Sequence, residues 1–257
     1  MNVKILGDGT VGYAMKHIFE DCMDPTQDPD AVIITNHEDY VYDVLNDLLD
    51  WYDGLVIIKS TILPDRIERL MKLHDKMCYV PEFLRENYST EDATWPRMRI
   101  FGGTKENIFS AERVFAYAKG KADRIIHMTA PEASFVKHAI NCYLALKVTY
   151  FNDLYDIAEN KGLDWYNISR AVIADDRVGE SHTTVPGFDG LFGFGGKCLP
   201  KDLMNFIYYS DSKLLTEVHR ANDERRKIQK QERWEDPLGY GYWYDDRLRY
   251  CRNKSPC

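Results

Sequence analysis

The residues best suited to chemistry lie between Gly193 and Asp202, in the stretch GFGGKCLPKD, where one cysteine separates a glycine-rich turn from a helix start. Pro200 suits the first turn of a helix, where its missing N–H costs nothing, so Cys198 is expected at or just outside a helix N-terminus. Unpaired amide groups and the helix dipole favour an anion there. With Lys197 and Lys201 beside it, the thiol should ionise more readily than an ordinary cysteine and act as a nucleophile. The glycines let backbone amides approach a phosphate or a carbonyl oxygen. The alternative is a glycine-rich turn that carries an incidental cysteine.

Two further patterns carry chemistry. Lys137 and Asn141 stand four apart in a helical stretch, so both project from one face and can converge on a single oxygen. An ammonium and an amide are suitable donors for an oxyanion, although a Lys and an Asn on a solvated flank have the same spacing. Near the start, GDGTVG at residues 7–12 follows an apolar run, Asn2 to Leu6, and precedes a helical run from about Tyr13 to Phe19. Strand, G-x-G-x-x-G and helix admit a dinucleotide pyrophosphate to the helix N-terminus, while a tight turn without a ligand reads the same.

The decapeptide at Gly193 resembles the active-site signature of the UDP-glucose and GDP-mannose dehydrogenase family. The segment from Ser134 to Asp164 resembles the family's central helix and its continuation. KSTILPD at Lys59 and PEFLREN at Pro81 resemble two of its active-site loops. These blocks stand in the family's order and cover much of the chain between Gly7 and about Asn222.

The resemblance implies a two-step oxidation of a nucleotide sugar's primary alcohol to a carboxylate with two NAD, UDP-glucose being the expected substrate. Cys198 would attack the aldehyde and pass through a thiohemiacetal and a thioester, with Lys137 and Asn141 stabilising the oxyanion. Glu82 would help water hydrolyse the thioester, Glu86 would support it, and Thr61 and Asp202 would hold the water that accepts the alcohol proton. NAD would lie against Gly7, Gly9, Thr10, Val11, Gly12, Lys59, Ser60 and Thr61. Phe83, Leu84, Tyr150, Arg177, Gly195 and Gly196 would contact the nucleotide sugar. The family reading also implies a homodimer built through the long helix. A catalytically silent remnant that binds a nucleotide sugar or pairs with a full-length dehydrogenase is the alternative.

The elements that must position these residues alternate. Ala31 to Thr35, Leu55 to Ser60 and Met77 to Val80 read as buried strands, and Tyr40 to Leu49 and Asp65 to His74 as helices, which implies a parallel sheet covered by helices. Functional loops are expected at the carboxyl ends of its strands. Arg99 to Gly102 and Arg124 to Met128 would add edge strands, with a helix near Asn107 to Tyr117 between them. The expected class is therefore α/β: a reduced Rossmann-like parallel sheet followed by an all-α central dimerisation domain. The expected domains are 1–130 for NAD, 131–222 for the helical centre with the cysteine, and 223–257 for a charged helix and an aromatic tail.

One stretch breaks the pattern. A dinucleotide fold needs a second strand ending in a ribose-binding carboxylate about 20 residues beyond the first glycines. Here DCMDPTQDPD, from Asp21 to Asp30, has two prolines and almost no apolar content and cannot be a central strand. The second strand and its helix read as deleted, with Asp28 or Asp30 as stand-ins for the carboxylate. A family member would also continue into a second Rossmann-like domain where this chain has its tail.

Composition narrows the class. Of the 257 residues 44% are hydrophobic and 29% charged, enough for a sizeable core. A net charge of −8 without a long basic run argues against a nucleic-acid partner. The N-terminus lacks the zones of a signal peptide and no apolar run spans a bilayer, so a cytoplasmic protein without membrane contact is expected. The six cysteines make no C-x-x-C and the seven histidines no H-E-x-x-H, so no metal site is expected.

Overall fold

The computed structural model describes residues 1–232, and the chain divides between Ile140 and Asn141 into two compact units. The aromatic tail singled out above lies outside the described residues.

In the first unit the strands are β1 (Val3–Leu6), β2 (Ala31–Ile34), β3 (Leu55–Ile58), β4 (Met77–Tyr79), β5 (Arg99–Gly103) and β6 (Ile125–Met128), and they lie in that order across one sheet. β1 to β4 are parallel, β4 and β5 antiparallel, and β5 and β6 parallel again. The expected parallel sheet is thus interrupted at one pairing. β5 is also not an edge strand, because it bonds β4 on one side and β6 on the other. Gly102 and Gly103 let it approach closely: a Cβ on Gly102 would lie 2.7 Å from the Cα of Ala130.

Alternation along each strand sends side chains to two cores. Val3, Ile5, Ala31, Ile33, Ile57, Cys78 and Phe101 face α1 (Thr10–Ile18), α4 (Ser89–Thr94) and α5 (Lys105–Phe115). Val32, Ile34, Val56, Ile58, Met77, Tyr79 and Ile100 face α2 (Glu38–Leu49), α3 (Pro64–Leu70) and the first turn of α6 (Ala130–Asn160). Pro64 opens α3 at a position where a missing N–H is harmless.

The crossovers have an uncommon arrangement. β1–α1–β2, β2–α2–β3 and β3–α3–β4 all step the same way across the sheet, yet α1 covers one face while α2 and α3 cover the other. The first crossover therefore has the opposite hand to the next two, and the strong preference for right-handed crossovers marks it as the left-handed one. The Asp21–Asp30 loop makes this connection, as expected of a stretch too polar to be a strand. Asn2 pins it: its Nδ2 donates to the carbonyls of Asp24 (3.0 Å) and Gln27 (2.9 Å), and its Oδ1 accepts from the Asp24 amide (2.8 Å). Among the described residues no strand pairs with the outer edge of β1.

The second unit contains the rest of α6, then α7 (Trp165–Ile173), α8 (Cys198–Ser210) and α9 (Lys213–Glu232). Phe151, Phe194, Leu203, Phe206 and Val218 are buried in it, and Trp165 packs edge-on against Phe151 and Tyr155. No helix among the described residues is long and apolar enough to cross a membrane.

Candidate functional site

Candidate residues gather in two groups, one in each unit. In the first unit, KST and PEFLRE follow β3 and β4, so both loops leave the carboxyl ends of neighbouring parallel strands. Lys137, on the second turn of α6, reaches Glu82 there, its Nζ lying 3.0 Å from Oε1; the two side chains are 5% and 11% exposed. The Thr61 hydroxyl donates to the same oxygen at 3.4 Å. The other oxygen, Oε2, is buried and has no hydrogen-bond partner among the described residues. A buried carboxylate oxygen left this way costs stability and suits a group that receives a proton or a ligand. The Phe83 ring lies 5.5 Å from the Lys137 ammonium, and Arg85 ties its loop down through a bidentate pair with Asp92, Nε donating to Oδ2 and Nη2 to Oδ1. Glu86 opens a short 3-10 turn to Tyr88.

Lys59 and Ser60 are buried beside this group. The Lys59 ammonium donates to the Val80 carbonyl (3.0 Å) and lies over the Phe115 ring with the Arg99 guanidinium. Burial, with Arg99 and Lys137 adding to it, pulls the Lys59 pKa down to about 7. Ser60 donates to the Asn36 carbonyl (2.6 Å). The side chains of both residues thus hold neighbouring strand ends together.

The glycine turn at residues 7–12 separates structural from other glycines. Gly7 has φ +116°, and a Cβ there would stand 2.4 Å from Thr35 Oγ1; one on Gly12 would stand 2.1 Å from the Gly7 carbonyl oxygen. Strand–helix packing accounts for both. Gly9 caps α1, and a Cβ on it would meet nothing within 4 Å, so the fold itself does not require that glycine. Asn36, at the carboxyl end of β2, has a buried Oδ1 without a hydrogen-bond partner among the described residues. The turn, open at Gly9 and followed by the first amides of α1, fits a pyrophosphate.

The proposed carboxylate stand-ins do not fit a ribose. Asp30 Oδ2 accepts from the Asn2 amide (2.7 Å), and the Asp28 carbonyl also faces Asn2. Both therefore sit at the amino end of β1, whereas the turn leaves its carboxyl end, and the loop cannot reach across the strand.

In the second unit Cys198 is the first residue of α8 and exposed, with Lys197 as the helix cap. Asp202, one turn on, is buried and accepts from Asn141 Nδ2 at 2.6 Å, and the Lys201 ammonium lies 3.0 Å from its other oxygen. The sequence placed Asp202 near Cys198 but did not reveal its bond to Asn141. Burial pushes the Cys78 and Cys142 thiols up to about 12, leaving them protonated at neutral pH.

The remaining candidates are dispersed. Tyr150 is more than half exposed on α6, and Arg177 is exposed and bonded to Asp175 (2.9 Å). Gly195 makes room for the Arg226 guanidinium, 2.9 Å from where a Cβ would stand, while Gly196, with φ +75°, faces open space. Asn36, Asn152, Asn222 and Arg226 escaped the sequence reading. The only signal at Asn222 is a poor helix former inside a charged helix.

Comparison with known proteins completes these observations. Residues 131–224 match the central-domain model of the UDP-glucose/GDP-mannose dehydrogenase family. A UDP-glucose 6-dehydrogenase from Rickettsia bellii is 30% identical over 188 residues, 68% of this chain and 42% of that protein. One from Campylobacter jejuni is 33% identical over 182 residues, 67% of this chain and 44% of that protein. The chain thus spans less than half the length of either relative. A UDP-D-ManNAc dehydrogenase structure from Pyrococcus horikoshii superposes with a TM-score of 0.76 at 19% identity, covering 89% of this chain and 69% of that one, which establishes likeness of fold.

Proposed function

Because the chain belongs to the UDP-glucose/GDP-mannose dehydrogenase family, we propose that it oxidises the primary alcohol of a nucleotide sugar, UDP-glucose first, to the carboxylate. The observation that carries this reading is the Thr61–Glu82–Lys137 group, whose carboxylate keeps one buried oxygen without a hydrogen-bond partner among the described residues where strand packing needs no charge. NAD, when bound, supplies the hydride acceptor for both oxidations. Gly7, Gly9, Thr10, Val11 and Gly12 would hold its pyrophosphate, and Lys59, Ser60 and Thr61 would also lie against NAD.

Thr61 and Asp202 hold the water that takes the alcohol proton. Cys198 Sγ bonds to the aldehyde carbon, and Lys137 and Asn141 donate to the resulting oxyanion. Once that carbon is at the thioester level, Glu82, supported by Glu86, takes a proton from the water that attacks it; the C–S bond breaks and the thiol is restored. Phe83, Leu84, Gly195, Gly196, Tyr150 and Arg177 contact the nucleotide sugar. On this reading residues 1–130 serve NAD and residues 131–222 the sugar and thiol chemistry. Tyr143 and Ile157, both more than half exposed and fourteen residues apart on one face of α6, support a homodimer through that helix.

The position of Asp28 and Asp30 favours a second reading, a silent remnant that binds a nucleotide sugar or pairs with a full-length dehydrogenase. Losing a charged ribose contact costs about 1.5 to 3 kcal/mol, or roughly ten- to a hundredfold in NAD affinity. Calorimetry with NAD and NADH absorbance with UDP-glucose at millimolar NAD separate the two readings. Weak binding with slow NADH formation, and net oxidation to the acid abolished by Cys198→Ala, support the enzyme; no binding and no NADH support the remnant.

A further inference from the structure

The loop that delivers Cys198 is gripped from α9. Asn222 Oδ1 accepts from the Phe194 amide (2.7 Å) and its Nδ2 donates to the Phe194 carbonyl (3.1 Å), so one side chain satisfies both polar groups of that residue. The Gly193 amide donates to Asn152 Oδ1 on α6 (2.9 Å), and the Gly193 carbonyl accepts from Arg226 Nη2 (2.9 Å). Four backbone groups in succession are therefore held by side chains. Arg226 also pairs with Asp189 in the same loop (2.7 Å). Arg225 fastens α9 to α6 through Asp156 (2.6 Å) and Asp153 (3.2 Å).

The glycines belong to the same device. A Cβ on Gly193, at φ +76°, would stand 2.4 Å from Asn222 Oδ1. Phe194, buried between two glycines, is the loop's apolar anchor four residues before the thiol.

We propose that Asn222, with Arg226 beside it, is a positioning residue: its two bonds to the Phe194 peptide fix the glycine turn and so the direction from which Cys198 leaves the start of α8. This deepens the proposed function and rests on its assignment of Cys198 as nucleophile. An amide serves here because it presents a donor and an acceptor side by side, which Asp, Ser and Ala do not.

The test measures alkylation of Cys198 by iodoacetamide in the full chain across pH 5 to 9, with Cys22 as internal reference and mass spectrometry to locate the label. Asn222→Ala should slow Cys198 about tenfold relative to Cys22 and move its pH profile upward, the equivalent of about 1.4 kcal/mol. Asn222→Asp keeps the acceptor and the volume but loses the donor, so it should fall between. If Asn222→Ala loses its far-UV circular dichroism, Asn222→Asp and Arg226→Lys decide the matter. A folded set of variants whose Cys198 rates stay within about twofold of wild type would overturn the positioning role. A wild-type Cys198 no faster than Cys22 would instead refute the nucleophile assignment, so the two failures are distinct.

Discussion

Replacing Lys59 by Met should change how stability depends on pH, with a sign and window set by the burial of its ammonium. The group titrates at 10.5 when solvated and at about 7 in the folded chain. Between those values the unfolded chain holds a proton that the folded chain has released, so folding stability rises with pH across that window; below pH 7 both states are charged and the slope vanishes. Integrated from pH 7 to 9, this one group adds about 2 kcal/mol to the wild-type chain, from a ceiling of about 1.4 kcal/mol per unit. Lys59→Met removes that gain. It also leaves the Val80 carbonyl without its donor, a cost of about 1 to 3 kcal/mol that does not vary with pH. Urea unfolding of both proteins at pH 6, 7, 8 and 9 separates the effects, because only the pH-dependent difference belongs to the ammonium. Two parallel stability curves between pH 7 and 9 would refute the reasoning and place the charge in contact with water.

Breaking the buried Glu82–Lys137 pair by Lys137→Met should cost about 3 to 5 kcal/mol, and the double variant with Glu82→Leu should regain most of it; equal losses in both, by denaturant titration, would show the pair is not coupled. Among the cysteines of the described residues, iodoacetamide near neutral pH should label Cys198 first and spare Cys78 and Cys142, whose thiols burial holds protonated; early label on Cys78 would contradict their burial. Light scattering at micromolar concentration should find a dimer, and Tyr143→Glu together with Ile157→Glu should dissociate it; a wild-type monomer would remove α6 as an interface.

The local devices of this protein were written in its order of residues. Apolar runs at strand length marked β1 to β4, the two prolines and the acids at residues 21–30 excluded a strand, and Pro200 with the glycines before it placed Cys198 at the start of α8. Periodicity and turn chemistry act over a few residues, and a linear reading recovers them. Which strands become neighbours was decided only by the fold: β5 turned antiparallel to β4 and lay inside the sheet, and α1 took the opposite face from α2, because pairing and handedness depend on what the loop between them must cross. The same holds for the site. Asn141 spends its amide on Asp202, Lys59 turns its charge toward the Val80 carbonyl, and Asn222 clasps a peptide 28 residues earlier in the chain. Each is a contact between segments distant in sequence, and hydrogen bonding at about 3 Å leaves no periodic trace by which the residue types alone could announce it.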